Sequence, residues 1–442
     1  MLVRFFFGLF VACCLGVEIM MSTPSLAAPP DLTISARFSA TDWPWWRGPN
    51  RDGQASKTPL PTRFSATENV QWKSPVPGRG HSSPIVVGGQ IFLTTADEQK
   101  ETHSVLSYEL STGKPIWQRE ISQGGFPANN HPKNTEASST PACDSERLFA
   151  TFFHHEQIEL VALDLKGEIL WRKQAGTFNP KMFEYGYAPS PVLYGTSVIV
   201  AAEYDHESSF IAAFDRATGE ELWRTARPAS ISFSSPVVAH VAGRDQLLIS
   251  GQIKVCSYDP ATGKLLWEVA GTTNATCGTM IWDDQVVYAS GGYPKAETLA
   301  VRADGSGKVM WRNNQKCYEQ SMILIDGCVY ALTDKGVIYC WRASDGQELW
   351  LERLEGPVSA SPVYAGGHLY WANELGTVYV LKPNPTKFEL VATNRLGSES
   401  FASPAVSGQR LLFRVAEGKG TERKETLYCI SASQSSGTSA GK

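Results

Sequence analysis

The 442-residue sequence has no excess of positive charge, and this absence limits the classes of partner. It contains 40 Lys and Arg against 44 Asp and Glu, a formal net charge of -4. Proteins that bind nucleic acids present clustered basic residues to the phosphate backbone, so the charge balance gives no support to a nucleic-acid partner. Beyond the N-terminal region, no apolar run is long enough to span a bilayer, so no transmembrane span is expected.

The cysteine motifs that mark redox or metal chemistry are also missing. The nine cysteines include no C-x-x-C spacing, which excludes zinc ribbons, thioredoxin-like sites and C-x-x-C-H haem attachment. The single adjacent pair, Cys13-Cys14, lies in the N-terminal region. Most of the other seven cysteines lie in strand-like runs, so we expect small buried side chains there. Export would permit a disulfide, but the spacing identifies no pair.

The N-terminus has the pattern of an export signal. An apolar run over 5–17 follows Arg4, and Ser25-Leu26-Ala27 places small residues at a cleavage spacing. The pattern predicts a signal peptide over 1–27 and a secreted or periplasmic location. A lipid anchor at Cys13 or Cys14 is the less favoured alternative, because the residues before them make a poor lipobox.

One unit recurs along the chain about every 40 to 57 residues, close to the length of a four-stranded blade. Each copy opens with a small residue followed by Pro and continues as a series of β-rich runs. The openings are Ser83-Pro84, Thr140-Pro141, Ser190-Pro191, Ser235-Pro236, Ser361-Pro362 and Ser403-Pro404, with degenerate copies at Gly278-Thr279 and Ser321-Met322. Eight openings predict an all-β fold, an eight-bladed β-propeller of four-stranded blades.

Each unit closes with a D-x-x-T-G-like turn and then a strand that carries Trp. Asp or Ser at such a turn bonds its own backbone, and Gly supplies the positive φ, so these aspartates are predicted to be structural. A large ring at one fixed position per blade fills the space between neighbouring blades. The predicted structural residues are Trp72, Trp117, Trp171, Trp223, Trp267, Trp311 and Trp350. Blade seven departs from the pattern, with Phe388 and Leu390 instead.

The last blade is one strand short, because the chain ends soon after its third strand. The missing strand has a match near the N-terminus, at Val70 to Lys73 around Trp72. We expect this strand to complete the last blade, which removes the exposed edges of an open sheet. The predicted organisation is a signal peptide over 1–27, an N-terminal extension over 28–67, the propeller over 68–433 and a disordered tail over 434–442.

These blades resemble the PQQ-repeat propellers. That superfamily holds quinoprotein alcohol dehydrogenases, the BamB-like lipoproteins of outer-membrane barrel assembly, and secreted bacterial proteins of unassigned role. The resemblance covers about 42–433, and the opening DWPWWRGPNRDG over 42–53 is similar to the unassigned secreted group. The Trp and Arg residues of that opening could form a recognition patch. The favoured alternative is that they hold the N-terminal segment against the propeller.

Topology places the candidate site at one mouth of the channel, where the D-to-A and B-to-C connections meet. The long connections fall there, at 123–138, 174–189, 203–209, 291–297 and 416–425. Residues two positions before each opening should form a ring: His81, Ser138, Ala188, Phe233, Thr276, Glu319, Ser359 and Phe401. The predicted ligand-binding residues are Arg79, His81, Asn134, Glu136, Tyr185, Tyr187, Asn274 and Glu319, with Tyr318 beside them. The alternative is a solvated channel mouth.

A quinoprotein dehydrogenase would need cofactor-binding and catalytic residues that the sequence does not display. The resemblance implies PQQ, Ca²⁺ held by carboxylate and amide oxygens, an Asp base and usually a vicinal disulfide. No catalytic residue and no metal ligand is assigned; in His154-His155-Glu156 adjacent side chains on a strand point to opposite faces. We expect a monomeric, non-catalytic scaffold without cofactor, whose partner is an envelope or secreted protein or a small ligand. The alternatives are a quinoprotein oxidoreductase with PQQ and calcium, and a sugar- or peptide-binding propeller accessory to a secreted enzyme.

Overall fold

The computed structural model describes residue 34 and residues 37–55, 58–418 and 420–432. The predicted signal peptide and the predicted tail lie outside the described residues. Within the described ranges the chain forms eight sheets, each of four antiparallel strands. This confirms the predicted all-β, eight-bladed propeller. In the same ranges, no helix is long and apolar enough to cross a membrane.

The strands are numbered in chain order from β1 (Val70–Val76), which belongs to the last blade. The strands of blades one to four are β2 (Ile85–Val87), β3 (Gln90–Asp97), β4 (Thr102–Glu109) and β5 (Pro115–Gln123); β6 (Ala142–Cys143), β7 (Arg147–His154), β8 (Gln157–Asp164) and β9 (Ile169–Thr177); β10 (Val192–Tyr194), β11 (Ser197–Ala202), β12 (Phe210–Asp215) and β13 (Glu221–Ala226); and β14 (Val237–Val241), β15 (Arg244–Gly251), β16 (Lys254–Tyr258) and β17 (Leu265–Ala270).

The strands of blades five to eight follow the same order, from the channel outwards. They are β18 (Ile281–Trp282), β19 (Val286–Gly291), β20 (Glu297–Arg302) and β21 (Val309–Asn313); β22 (Ile323–Ile325), β23 (Cys328–Leu332), β24 (Val337–Arg342) and β25 (Glu348–Arg353); β26 (Val363–Ala365), β27 (His368–Ala372), β28 (Thr377–Leu381) and β29 (Leu390–Arg395); and β30 (Ala405–Ser407), β31 (Arg410–Glu417), β32 (Lys424–Ile430) and β1. A 3₁₀ turn, Gly420–Glu422, separates β31 from β32.

Burial along the strands follows from the stacking of blades. The two middle strands of a blade are covered on both faces, and β7 buries every residue from Leu148 to Phe153. A strand that is covered on both faces has a nearly continuous run of apolar residues in its sequence. The outermost strand β9 instead alternates between more and less exposed residues over most of its length, because one face meets solvent.

The ring closes as predicted. Strand β1 pairs with β32 in antiparallel register, with Trp72 opposite Cys429 and Lys73 opposite Tyr428. A segment from the N-terminal side of the chain therefore supplies the outermost strand of the last blade. The closure gives β32 a partner on each side, so it does not remain an open edge.

The tryptophans of the outermost strands contact the turn of the next blade. A Cβ added at Gly219, which has φ +73°, would lie 2.7 Å from the Trp171 ring, so only glycine fits beneath it. The indole of Trp171 also donates to the carbonyl of Arg216 at 3.1 Å. The corresponding bonds of the other blades run from Trp72 to Leu110, Trp117 to Leu165, Trp311 to Ala343 and Trp350 to Asn384.

Two of the seven tryptophans depart from this arrangement. The indole of Trp267 donates to Gln246 of its own blade at 2.8 Å. The indole nitrogen of Trp223 is buried without a hydrogen-bond partner among the described residues, although its ring still covers Gly263. Packing against the turn, rather than the hydrogen bond, is therefore the feature these blades share.

Small hydroxyl residues tie the innermost strands together. In this hydroxyl belt, the amide of one opening residue donates to the side-chain oxygen of the next, at 2.8–3.1 Å. The seven bonds run from Ser83 to Thr140, Thr140 to Ser190, Ser190 to Ser235, Thr279 to Ser321, Ser321 to Ser361, Ser361 to Ser403 and Ser403 to Ser83. The opening residues are small and hydroxylated because each must offer an acceptor in a narrow space.

The hydroxyl belt corrects the sequence alignment of blade five. Its opening is Thr279 followed by Met280, which matches Ser321-Met322, and not Gly278-Thr279. The ring position two residues earlier is therefore Cys277. The predicted ring residue Thr276 is fully buried, and its hydroxyl donates to the carbonyl of Thr273 at 3.3 Å.

Candidate functional site

The segment 42–55, here called the N-terminal strap, crosses the channel at the end of the inner strands. Trp43 exchanges two backbone hydrogen bonds with Val86 of β2, at 2.7 and 2.9 Å. The buried side chains of Arg47 and Arg51 donate to the carbonyls of Met322 and Leu193 on opposite parts of the ring. The strap therefore contacts several blades at once, which is the packing role favoured from the sequence.

Above the strap lies a cavity of about 170 Å³ in the channel. Its floor is Trp46, whose indole donates a hydrogen bond to the hydroxyl oxygen of Thr279 at 2.9 Å. Among the described residues, Thr279 is the belt residue whose hydroxyl accepts no bond from the amide of the preceding belt residue, Ser235. The hydroxyl belt forms the lower wall. The upper wall is the ring of residues His81, Ser138, Ala188, Phe233, Cys277, Glu319, Ser359 and Phe401. Because Trp46 closes one end, the cavity is a cup that opens at the loop-bearing mouth.

One side of the cup is aromatic. Tyr185 stacks on Phe233 with ring centroids 6.0 Å apart, and Tyr318 packs in the same apolar cluster. Phe183 extends the cluster upwards, with its ring centroid 5.6 Å from that of Tyr185 and 5.7 Å from that of Tyr293. This aromatic wall therefore runs without a break from the cavity to the outer surface of the mouth.

Another part of the cup wall is charged. Lys133 Nζ lies 2.7 Å from Glu374 Oε1 and 3.9 Å from Glu319 Oε2. The hydroxyl of Ser359 contacts the carboxylates of both Glu319 and Glu374. Burial raises the pKa of Glu319, and the bond from Ser359 and the charge of Lys133 only partly oppose this effect. These four residues are called the charged wall.

Lys133 reaches the charged wall from the loop between blades one and two. This mouth loop, residues 124–138, crosses the opening, because Glu374 lies in blade seven. A second contact holds the mouth loop near its C-terminal end, where the side-chain amide of Asn134 donates to the carbonyl of Tyr185 at 2.6 Å. The mouth loop is thus fixed at both sides of the cup and partly covers it.

The structure brings together four of the eight predicted site residues. The side chains that line the cavity are His81, Asn134, Tyr185 and Glu319. Burial and the charges of Arg79 and Arg414 hold the pKa of His81 well below its usual value, so its imidazole is neutral. His81 also stacks on Phe401, with ring centroids 4.4 Å apart.

The other four predicted residues lie outside the cavity lining. Arg79 pairs with Glu98 at 3.0 Å and donates to the carbonyl of Pro132 in the mouth loop at 3.3 Å, and Glu136 accepts a bond from Asn130 at 2.7 Å. Tyr187 is a core residue, and its hydroxyl donates to the carbonyl of Ala201. The backbone carbonyl of Asn274 accepts a hydrogen bond from the backbone amide of Gln252. The structure therefore places Tyr187 in the core, whereas Tyr185 lines the cavity.

Sequence reasoning missed Lys133, Glu374 and His131, all of which line or border the cavity. Lys133 and Glu374 are separated by 241 positions in the chain. The presence of Lys133 in a long connection of the mouth face was the available signal. Nothing in the repeat pattern pairs it with blade seven.

A family model described as outer membrane protein assembly factor BamB matches residues 101–352, more than half of the chain. The chain belongs to this family. The resemblance to PQQ-repeat, BamB-like propellers inferred from the blade motif is therefore confirmed.

A BamB family protein, outer membrane protein assembly factor BamB of Burkholderia pseudomallei (strain K96243), is 22% identical over 376 residues, covering 75% of this chain and 93% of that protein. The crystal structure of BamB from Moraxella catarrhalis matches at a TM-score of 0.57 and 15% identity, covering 81% of this chain and 96% of that one. A europium-containing methanol dehydrogenase matches at a TM-score of 0.67 and 11% identity. The match covers 90% of this chain and 99% of that one. At these identities the structural likeness shows the fold alone.

The similarity in fold to a methanol dehydrogenase raises the question of whether the cup fits PQQ and Ca²⁺. Pockets for drug-sized ligands span about 300–1,000 Å³, and the enclosed part of the cup has about 170 Å³, so it does not enclose a tricyclic tricarboxylate. Its cation, Lys133, is paired with carboxylates, and among the described residues no group of three His, Cys, Asp or Glu could hold a metal ion. The imidazole of His154, which was considered as a metal ligand, forms a hydrogen bond with the carboxylate of Glu159 at 3.0 Å. The residues present do not fit this cofactor.

Proposed function

We propose that this chain is a non-catalytic binding protein of the bacterial cell envelope, and that it recognises a protein partner with the loop-bearing mouth of its propeller. The observation that carries the proposal is an exposed apolar cluster at that mouth. Met182 is 57% exposed and Tyr293 is 49% exposed, on either side of Phe183. Aromatic residues and Met are enriched in protein interfaces, so a cluster of them on a loop face supports a docking role.

The apolar cluster is held in place before any partner binds. The amides of Lys181 and Met182 donate to the carboxylate of Asp205 at 2.8–3.2 Å, which joins the loop 178–187 to blade three. Tyr293 is fixed by two backbone bonds to Ala275. A preorganised surface loses little conformational entropy on association, which favours binding.

The relatives support a protein as the partner. The family and its Burkholderia member carry the name outer membrane protein assembly factor, which describes work with other proteins. We extend this role to the chain, with a partner in the envelope. The predicted signal peptide over 1–27 supports the same secreted or periplasmic location.

Site-specific photo-crosslinking in the native host tests the proposal. A photoreactive amino acid at Met182 is expected to yield an adduct with one envelope protein. The matched control is Leu222, which is 50% exposed on the outermost strand of blade three, away from the mouth. Met182→Glu in a chain that carries the crosslinker at Tyr293 should reduce the adduct, because a carboxylate would be buried in the interface.

Two results would contradict the proposal. One is an equal yield of adducts from Leu222, and the other is no adduct from either mouth position. The alternative of a quinoprotein oxidoreductase has the overall fold in its favour, but the size of the cup and its paired charges favour a binding role.

A further inference from the structure

We propose that the cup is a recognition site for one cationic group on an apolar stem, an alkylammonium or a guanidinium, and that Lys133 occupies this position as a tethered competitor. The inference deepens the proposed function, since it names the chemistry that the mouth would recognise. It depends on the charged wall, the aromatic wall and the size of the cavity between them.

The charged wall has too few protons and cations for its carboxylates. Ser359 Oγ lies 2.7 Å from Glu374 Oε1 and also contacts Glu319 Oε2. A hydroxyl has one proton, so it donates to only one of these two oxygens. The other close contact between oxygens needs either a proton on a carboxyl group or a cation beside it. Lys133 is the cation that both carboxylates share.

When both carboxyl groups are ionised, the formal charge of the wall is negative. Two carboxylates face one ammonium, and Asp334 adds a further negative field at Glu319. The Glu374 side chain is 9% exposed and that of Glu319 is 20% exposed, so solvent screens their charges only partly. A second cation in the cup would relieve this imbalance, whereas an anion would increase it.

The aromatic wall suits the same kind of ligand. Aromatic faces attract cations and cover apolar stems, and rings combined with carboxylates form the cages that bind ammonium groups. Tyr318 already binds a cation in this way, since Lys316 Nζ lies 4.8 Å from its ring centroid. Phe233 and Tyr185 provide further apolar surface in the same cavity as Glu319.

The size of the cavity limits the ligand to one side chain or an equivalent small molecule. A cavity of roughly 150 Å³ accommodates a benzene molecule, and this cup has about 170 Å³. The cation has two possible sources, a basic side chain of the protein partner and a free small amine.

Lys133 is the residue that decides whether such a ligand can bind. Its ammonium already lies against Glu374, so an incoming cation must displace it or share the carboxylates with it. Replacing Lys133 with Gln removes the competing charge and keeps a side chain of similar length in the mouth loop. The variant is therefore expected to bind cations more tightly than the native chain.

The experiment is a ligand-observed NMR titration of the purified full chain with 2-phenylethylammonium. Lys133→Gln is expected to tighten binding about tenfold, which corresponds to about 1.4 kcal/mol. In that background Glu319→Gln and Glu374→Gln should each weaken it again. The neutral analogue 2-phenylethanol should gain nothing from Lys133→Gln, because the gain comes from charge.

The matched control is Lys254→Gln. The Lys254 ammonium lies 2.7 Å from Glu268, and its side chain is 35% exposed, against 2.7 Å and 36% for Lys133. It lies outside the cavity, so its loss should leave the affinity unchanged. Lys133→Met is a second variant in case Lys133→Gln fails to fold, and near-ultraviolet circular dichroism reports the fold of both.

A parallel titration with N-acetyl-lysine N-methylamide distinguishes the two sources. Binding as tight as that of the free amine indicates a side chain of a partner, and weaker binding indicates a small amine. The inference is overturned if Lys133→Gln and Lys133→Met bind no more tightly than the native chain, or if the amine and the alcohol respond alike. Adducts from Met182 in the native host would still stand in that case, so the two proposals fail separately.

Discussion

Ser321 provides a direct test of the hydroxyl belt as a source of stability. Its side chain is 2% exposed, its oxygen accepts a bond from the amide of Thr279 at 3.0 Å, and it does not line the cavity. Ser321→Ala leaves that amide buried and without an acceptor. Leaving a buried donor unpaired costs about 1–3 kcal/mol, so the variant should lose that much free energy of unfolding.

Ser250 is the matched control for this substitution. It is also fully buried, but its hydroxyl has no hydrogen-bond partner among the described residues. Ser250→Ala deletes the same atom without breaking a bond, and it removes a buried hydroxyl that gains nothing from its surroundings. Its free energy of unfolding should equal that of the native chain or exceed it slightly.

Equilibrium unfolding in urea, followed by tryptophan fluorescence, measures both variants. The chain contains 13 Trp, many at blade junctions, so the signal reports the packing of the ring. The expected result is a lower midpoint for Ser321→Ala with an unchanged slope, and no such fall for Ser250→Ala. Equal midpoints for the two variants would show that the belt bonds do not stabilise the propeller.

Three further outcomes are expected. A Cβ at Gly219 would lie 2.7 Å from Trp171, whereas a Cβ at Gly243 would have no atom of the described residues within 4 Å. Gly219→Ala should therefore cost about 1–3 kcal/mol more than Gly243→Ala in urea unfolding. Burial raises the pKa of Glu136 from 4.5 to about 7, so the native state keeps a proton that the unfolded chain has released, and stability falls as pH rises between these values. Glu136→Gln should therefore raise the urea midpoint near pH 8 but not near pH 4. Calorimetry with PQQ and Ca²⁺ should show no binding at about micromolar affinity or tighter, and turnover in a dye-linked alcohol oxidation assay would contradict this expectation.

The fold could be predicted because each blade repeats the same local physics. A turn glycine, a tryptophan and an opening hydroxyl recur once per blade, and their spacing fixes the number of blades. The closing strand was predictable for a related reason: the last blade lacked one strand, and Trp72 marked a spare one. The degenerate opening of blade five was misaligned by one residue, because Gly278 and Thr279 are both small and only the bond to Ser321 separates them.

The site could be predicted only in part, since its decisive contacts join distant parts of the chain. The ring rule placed His81 and Glu319 correctly on the cavity wall, because they occupy a fixed position relative to the repeat. Lys133 belongs to a loop that no repeat describes, and its partner Glu374 lies 241 residues away. The path of the loop 178–187 was likewise unpredictable, so Tyr187 was assigned to the mouth although it packs in the core.

The contrast between two levels of the channel indicates where function resides in this propeller. Every residue of the hydroxyl belt is Ser or Thr, because each accepts a hydrogen bond, seven of them from the amide of a neighbouring belt residue and Thr279 from the indole of Trp46. The residues of the upper wall, directly above the belt, do not form such a chain of bonds. They range from Ala188 and Phe233 to Glu319. Eightfold packing would tolerate any small residue at these positions, so it does not account for Tyr185 and Phe233 in one part of the cup and the carboxylate of Glu319 in another. A ligand with an apolar part and a cationic part is the simplest cause of that asymmetry, and Lys133 is the residue whose replacement tests it.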